Sequence, residues 1–317
     1  MRILLLSLYF TFAACCYAQH QKYPSKVILA VETYSFLLGQ KEALKKVALE
    51  FPRLKDDVAA AENSSKVIFG RAEKNIEHFL KDELGVLEFN KIKQHIGSLA
   101  LEQLKHPVQK EEYAREFIKQ AAFKLKLSES GDIQKGIISF AFHDAPHQEV
   151  IDGHTTTFST KDHLKADHTA LVLPIPKSWR AAEAEMPATV QQFTSYAGNG
   201  SEKILVVIHD LASEDAPLVL DQKSVAGMIP PQSILMRTES VAIDGTPGIM
   251  IETEEVLFLS NQKRKIRMLQ FMFTYKQKLY CLQGSIGPVS LSQNLDPHIK
   301  KYEPLFRLIA SRTQLMD

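Results

Sequence analysis

Five of the eleven histidines of this 317-residue chain fall in one short segment: His143, His147, His154, His163 and His168. Asp144, Asp152, Asp162 and Asp167 lie among them. Imidazole and carboxylate are the usual ligands of zinc and related divalent ions, so this density raises a metal-dependent hydrolase, with His143, His147, His154 and Asp144 as candidate ligands. The spacing argues against it. His143 and His147 are positioned to align on a helix, but Pro146 between them disfavours continuous helix, and no His-Glu-x-x-His arrangement occurs. The favoured reading is a solvated, polar interdomain segment without a cofactor, with a divalent metal as the alternative. His209-Asp210 is read the same way, as a polar strand end.

Other chemistry-bearing patterns are missing from the sequence. There is no Gly-x-Ser-x-Gly nucleophile elbow. There is no phosphate-binding glycine loop either, and Gly284-Ser-Ile-Gly287 lacks the third glycine and the helix start of a dinucleotide fingerprint. No catalytic residue is assigned. Lys263-Arg264-Lys265 with Arg267 forms a basic patch at a predicted hairpin and reads as a solvated edge that discourages strand pairing. The 38 Lys and Arg nearly equal the 37 Asp and Glu. That balance gives no single-sign field, which argues against nucleic acid as a partner.

The elements that must position these residues change type along the chain. With 45% hydrophobic residues, the chain is long enough for two domains with separate cores. Leu44, Val47, Ala48 and Phe51 share one helical stripe, and Phe69, Ala72, Ile76, Phe79 and Leu80 repeat it before Gly85, a C-terminal cap. Asn90 is expected to cap a third helix that Pro107 stops, and a fourth spans about Lys110 to Leu127. Each is apolar on one side, so an antiparallel helical bundle is expected over residues 19–128. Residues 129–166 form the polar linker, with a short helix expected from Ile133 to Phe142.

From residue 167 the period becomes that of strands. Ala170 to Leu173 is closed by Pro174-Ile-Pro176, and Ile204 to Ile208 is apolar at every position, as in a strand covered on both faces. Further strands are expected at Ser233–Ile243, Gly248–Leu259, Lys265–Tyr275 and Lys278–Gly284. Their short connections make an antiparallel meander. Helices within Asp215–Ile229 and Asp296–Ser311 flank it, and Pro304 allows the second to begin as late as Tyr302. The predicted fold class is α+β, a helical bundle followed by an αβα sandwich with a mainly antiparallel sheet. Trp179, the only Trp, reads as a core anchor.

Pro-Ile-Pro-Lys-Ser-Trp at 174–179, the meander, the Tyr280 strand and the closing run from Tyr302 to Ser311 resemble the PsbP-like superfamily, over about residues 167–317. The resemblance implies an αβα sandwich and a non-enzymatic, interaction-type role, and it brings no catalytic residue or ligand with it.

The N-terminus reads as an export signal: Met1-Arg2, the apolar run Ile3–Ala14, and Cys16-Tyr17-Ala18, with cleavage after Ala18. Phe12-Ala13-Ala14-Cys15 approximates a lipobox, which makes acylation at Cys15 the alternative. The mature chain then keeps only Cys281, read as a small buried hydrophobe, and no transmembrane segment. The expected function is an exported, non-enzymatic accessory or binding protein of the bacterial cell envelope, in the periplasm or outside the cell. Its partner is expected to be another envelope protein or a small ligand. The alternatives are the metal-dependent hydrolase and an envelope lipid-binding protein.

Overall fold

The structure is a computed structural model that describes residues 23–121, 131–166, 170–184, 186–211, 218–259 and 261–316. The expectations for Ala18 and Cys15 fall on residues 1–22, outside the described residues, as do Asp167 and His168. Contacts divide the chain into two compact units, one ending at His143 and the other beginning at Asp144.

The first unit is helical. It comprises α1 (Ser25–Glu50), a 3-10 turn at Pro52–Leu54, α2 (Lys55–Leu84), α3 (Val86–Gln103), α4 (Glu111–Ala121) and α5 (Asp132–Ala141). Thr33, Tyr34 and Ser35 are buried in succession, so α1 is surrounded on all sides there and shows no one-sided stripe. Leu44, Val47, Leu54, Val58, Ala61, Ala114, Ile118 and Ala121 form one core of this unit. Gly85, at φ 78, ends α2 as expected. The same residue opens α3, so Asn90 lies inside that helix and not at its cap. Residues 132–141, expected in the linker, belong to this unit as α5. A Cβ on Gly136 would lie 2.4 Å from Thr33 Oγ1, which fixes how closely α5 crosses α1.

The second unit is built on two antiparallel sheets. It starts with α6 (Pro146–Ile151), followed by β1 (Thr155–Ser159), β2 (Ala170–Pro176), β3 (Arg180–Ala182), β4 (Thr189–Thr194) and β5 (Glu202–Asp210). Helix α7 (Gln222–Met228) precedes the meander β6 (Ser233–Ile243), β7 (Thr246–Leu259), β8 (Gln262–Tyr275) and β9 (Lys278–Ser290). Helix α8 (Asp296–Ser311) and β10 (Gln314–Met316) close the unit. One sheet has the order β1-β2-β10 and the other β3-β4-β5-β9-β8-β7-β6. The fold class is α+β.

Alternation along the strands sorts the core onto two faces. Val206, Met250, Leu269, Phe271, Phe273, Tyr280 and Leu282 pack with Leu305, Phe306 and Ile309 of α8, and Trp179 is buried in the same core. On the other face Ile249, Ile251, Met272 and Cys281 pack against Val225 of α7. Burial pushes the Cys281 thiol up to about 12, so it is an inert apolar group. Helix α8 approaches the sheet at Gly284, where a Cβ would lie 2.3 Å from the Phe306 ring. The helix runs continuously from Asp296 through Pro304, and does not start at Tyr302. Ile299, Tyr302, Leu305, Phe306 and Ile309 are all buried, and this stripe holds the helix together across the proline.

Candidate binding cleft

Beyond the apolar stripe of α8, the sheet face that it covers turns from hydrophobic to ionic. Glu252 and Glu254 of β7 and Arg267 of β8 continue the side-chain rows that begin with Met250 and Leu269. Between them and α8 lies a cleft of about 510 Å³, lined by Glu252, Arg267, Asp296, Lys300, Glu303 and Arg307, with Ile299 and Pro304.

The charges in the walls are held by one another. Arg267 Nη1 donates to Glu252 Oε1 and to Asp296 Oδ1, both at 2.9 Å, while its Nε and Nη2 reach Glu254 Oε2 at 3.1 and 3.0 Å. Arg237 of β6 bridges Glu252 and Glu303 at 2.6 Å each. Arg307 binds Glu303 at 2.7 Å and Glu239 at 2.6 Å. Lys265 lies 3.6 Å from Glu254. The side chains of Glu252 and Arg267 are only 7% and 9% exposed, so their pairing is required for burial.

The local electrostatics follow from this. Burial alone would lower Arg267, but the hydrogen bonds to Glu252 and Glu254 outweigh it and raise the guanidinium above its usual value. Burial would likewise raise the Glu303 carboxyl, and the Arg237 and Arg307 hydrogen bonds reverse the direction and hold it low. Arg307 holds Glu239 low by direct hydrogen bonding. The pairing therefore favours the charged forms of Arg267, Glu303 and Glu239 and holds them in a fixed array.

Two groups at the mouth remain available. Lys300 is exposed and has no carboxylate partner among the described residues, because Asp296, four residues before it on α8, is turned to Arg267. Pro304 has no N–H, so the Lys300 carbonyl lacks its helical donor. One helical turn thus offers an exposed ammonium and a carbonyl oxygen without its i+4 donor beside a wall of mutually paired charges. This arrangement can hold an anionic group and a neighbouring N–H donor.

A second polar cluster of this unit is closed. Glu149 of α6 is buried and accepts from the Ser178 backbone N–H at 2.8 Å and from Ser178 Oγ at 2.7 Å. Burial raises its carboxyl to about 7, against the pull of Ser178. Ser178 in turn accepts from the Ala197 N–H at 2.9 Å. Tyr196 and Ala197 both lie in the left-handed region, at φ 50 and φ 54, a costly conformation for side chains with a Cβ. The Tyr196 and Tyr302 hydroxyls are hydrogen-bonded to each other, and burial raises both well above their usual value. Ser195 Oγ donates to the buried Glu202 at 2.5 Å.

The candidate ligands of the sequence reading are placed differently. His143 closes the first unit, its ring 6.2 Å from Phe140 and 6.0 Å from Phe79. Asp144 opens the second unit. His147 sits on α6 with a buried Nδ1 that has no hydrogen-bond partner. His154 joins α6 to β1, and burial, aided by Lys177 and opposed by Asp152, lowers its imidazole. Among the described residues no group of three or more His, Cys, Asp or Glu side chains is arranged to hold a metal ion. The basic patch is divided: β8 lies between β7 and β9 and is not a sheet edge, and Arg267 is buried by its carboxylates, whereas Lys263 lies exposed beyond the end of the β9 pairing. No sequence motif marked the cleft. Its signal was the alternating Glu252 and Glu254 on a strand beside Arg267, with Pro304 inside an apolar helix.

No family model matches the chain, and no curated protein matches it. The PsbP-like resemblance therefore rests on sequence pattern alone. Among solved structures, the chain is similar to LpqN, involved in cell envelope biogenesis of Mycobacterium tuberculosis. That likeness has 10% identity and a TM-score of 0.32, and it covers 55% of this chain and 98% of that one. It is also similar to PA94, a protein of unknown function from Pseudomonas aeruginosa, with 15% identity, a TM-score of 0.26 and coverage of 49% and 93%. Among the described residues no helix is long and apolar enough to cross a membrane.

Proposed function

We propose that this chain is an exported, non-enzymatic accessory protein of the bacterial cell envelope, whose cleft takes an acidic segment of another protein. The observation that carries the ligand class is Lys300, the lining cation without a carboxylate partner among the described residues, one turn before a proline that withholds the helical donor from its carbonyl. An aspartate or glutamate side chain of the partner pairs with the ammonium, and a backbone N–H next to it donates to the carbonyl. Counted with Lys300, five cations and five carboxylates leave the site neutral in sum, so Lys300 completes the charge balance of the cleft. The export signal read in residues 1–18 supports the envelope setting.

Photo-crosslinking in growing cells from position 297, exposed on α8 one turn before Lys300, leaves the ammonium in place and tests this reading. A small set of envelope proteins should be captured from position 297, and Lys300→Glu in the same protein should lower that capture. Position 223, on exposed α7 at the opposite sheet face, should not capture them. Equal capture from both positions contradicts the proposal.

A further inference from the structure

Strands β7 and β8 outrun their neighbours. Strand β6 pairs with β7 only as far as Glu255, and β9 pairs with β8 only as far as Arg264. Phe258 and Leu259 with Gln262 and Lys263 therefore form a free two-stranded ribbon beyond the sheet. Its side chains are unusual for a solvated hairpin. Phe258 is 73% exposed and Leu259 43% exposed, and β-strand alternation puts them on opposite faces. Ile234, 61% exposed, lies on the face shared with Phe258, through its register with Glu254.

Charge accompanies this apolar tip. Residues 256–265 include Lys263, Arg264 and Lys265 and no acid. The Lys263 ammonium sits 5.3 Å from the Phe258 ring centroid, and Arg264 bonds Gln262 at 2.7 Å. Among the described residues neither cation has a carboxylate partner. The neighbouring Lys265 and Arg267 are paired to Glu254, so the unbalanced positive charge is confined to the tip.

We infer that this ribbon tip docks the protein on an anionic lipid surface, with Phe258 and Leu259 entering the headgroup boundary while Lys263 and Arg264 contact lipid phosphates. Both faces of the tip carry exposed apolar side chains beside basic residues, the composition of a segment that enters an anionic headgroup boundary. Complementary charge then selects anionic lipid, each basic residue near such a surface contributing about fivefold to partitioning. The site is separate from the cleft and does not depend on it.

The test uses the processed protein as cells make it, with vesicles of phosphatidylcholine that contain or lack phosphatidylglycerol. Co-sedimentation should require phosphatidylglycerol and weaken with added salt. Phe258→Asp, and separately Lys263→Glu with Arg264→Glu, should each lower it by about tenfold or more, with unchanged thermal melts because the tip lies outside the core. An environment-sensitive fluorophore on Phe258→Cys should shift to the blue on anionic vesicles, which reports entry of the tip whatever the N-terminus contributes. Sedimentation that these variants leave unchanged, or a fluorophore that stays in water, overturns the inference. So does tight retention by an oligonucleotide that Phe258→Asp leaves intact, because the tip would then act through charge alone.

Discussion

Arg267 on β8 donates to Asp296 in the first turn of α8 over 2.9 Å, so a sheet row and a helix start are tied at the floor of one cleft. The same guanidinium bonds Glu252 and Glu254, and a single side chain thereby fixes the walls on both sides.

Removing it should be costly. Arg267→Met leaves Glu252 and Glu254 short of a partner in a buried setting, and should lower unfolding free energy by about 3–5 kcal/mol in denaturant titration. Adding Glu252→Leu should recover a good part of the loss. A cost below about 1 kcal/mol for the single variant would mean that the pair is solvated.

Pro304 should trade stability for binding. Pro304→Ala restores the N–H that reaches the Lys300 carbonyl, and the exposed position leaves the core untouched. Stability should rise by roughly 2 kcal/mol, less than the full interior-proline cost because proline also stiffens the unfolded chain. Affinity for acidic peptide should fall. A variant less stable than the parent contradicts the reading of the free carbonyl.

The left-handed pair gives a prediction of opposite sign to glycine's usual effect. Ala197→Gly relieves a positive φ in a buried residue whose N–H is bonded to Ser178, and should stabilise the protein by about 1 kcal/mol in thermal or chemical unfolding. Destabilisation would show that the Ala197 methyl supplies packing that outweighs the strain.

Glu149 makes stability depend on pH. Its folded value, about 7, lies above the ordinary 4.5, so the folded state holds the proton more tightly. The contribution is fully present below about 4.5, and falls as pH rises to about 7, by on the order of 3 kcal/mol. Glu149→Gln can keep both Ser178 contacts without a charge, and should flatten the pH profile of the melting temperature across that window. A slope unchanged in the variant would place the titration elsewhere.

Much of the fold was legible because its signals are local. The strand alternation from Ser233 onward and the turns at Asp244-Gly245 and Lys276-Gln277 follow from period and turn chemistry, and these turn residues do take positive φ. The first half of α1 was not legible, since burial on every side erases the one-sided stripe that marks a helix. Asn90 misled because Gly85 serves two helices at once. The histidine segment drew attention by composition, yet its residues are divided between two units. The cleft was hidden because its members come from β6, β7, β8 and α8, far apart in sequence and joined only by register. Even so, a carboxylate pair alternating on a strand, opposite a buried arginine, was present to be read.

Fluorescence anisotropy with a labelled glutamate-rich peptide tests most directly whether Lys300 and its carbonyl hold an acidic protein segment. The parent protein should bind this peptide, ignore a lysine-rich one of equal length, and lose binding with rising salt. Lys300→Glu should reduce affinity by about tenfold or more, with an unchanged melting temperature. Binding that is equal for parent and Lys300→Glu, or a preference for the basic peptide, would contradict the account.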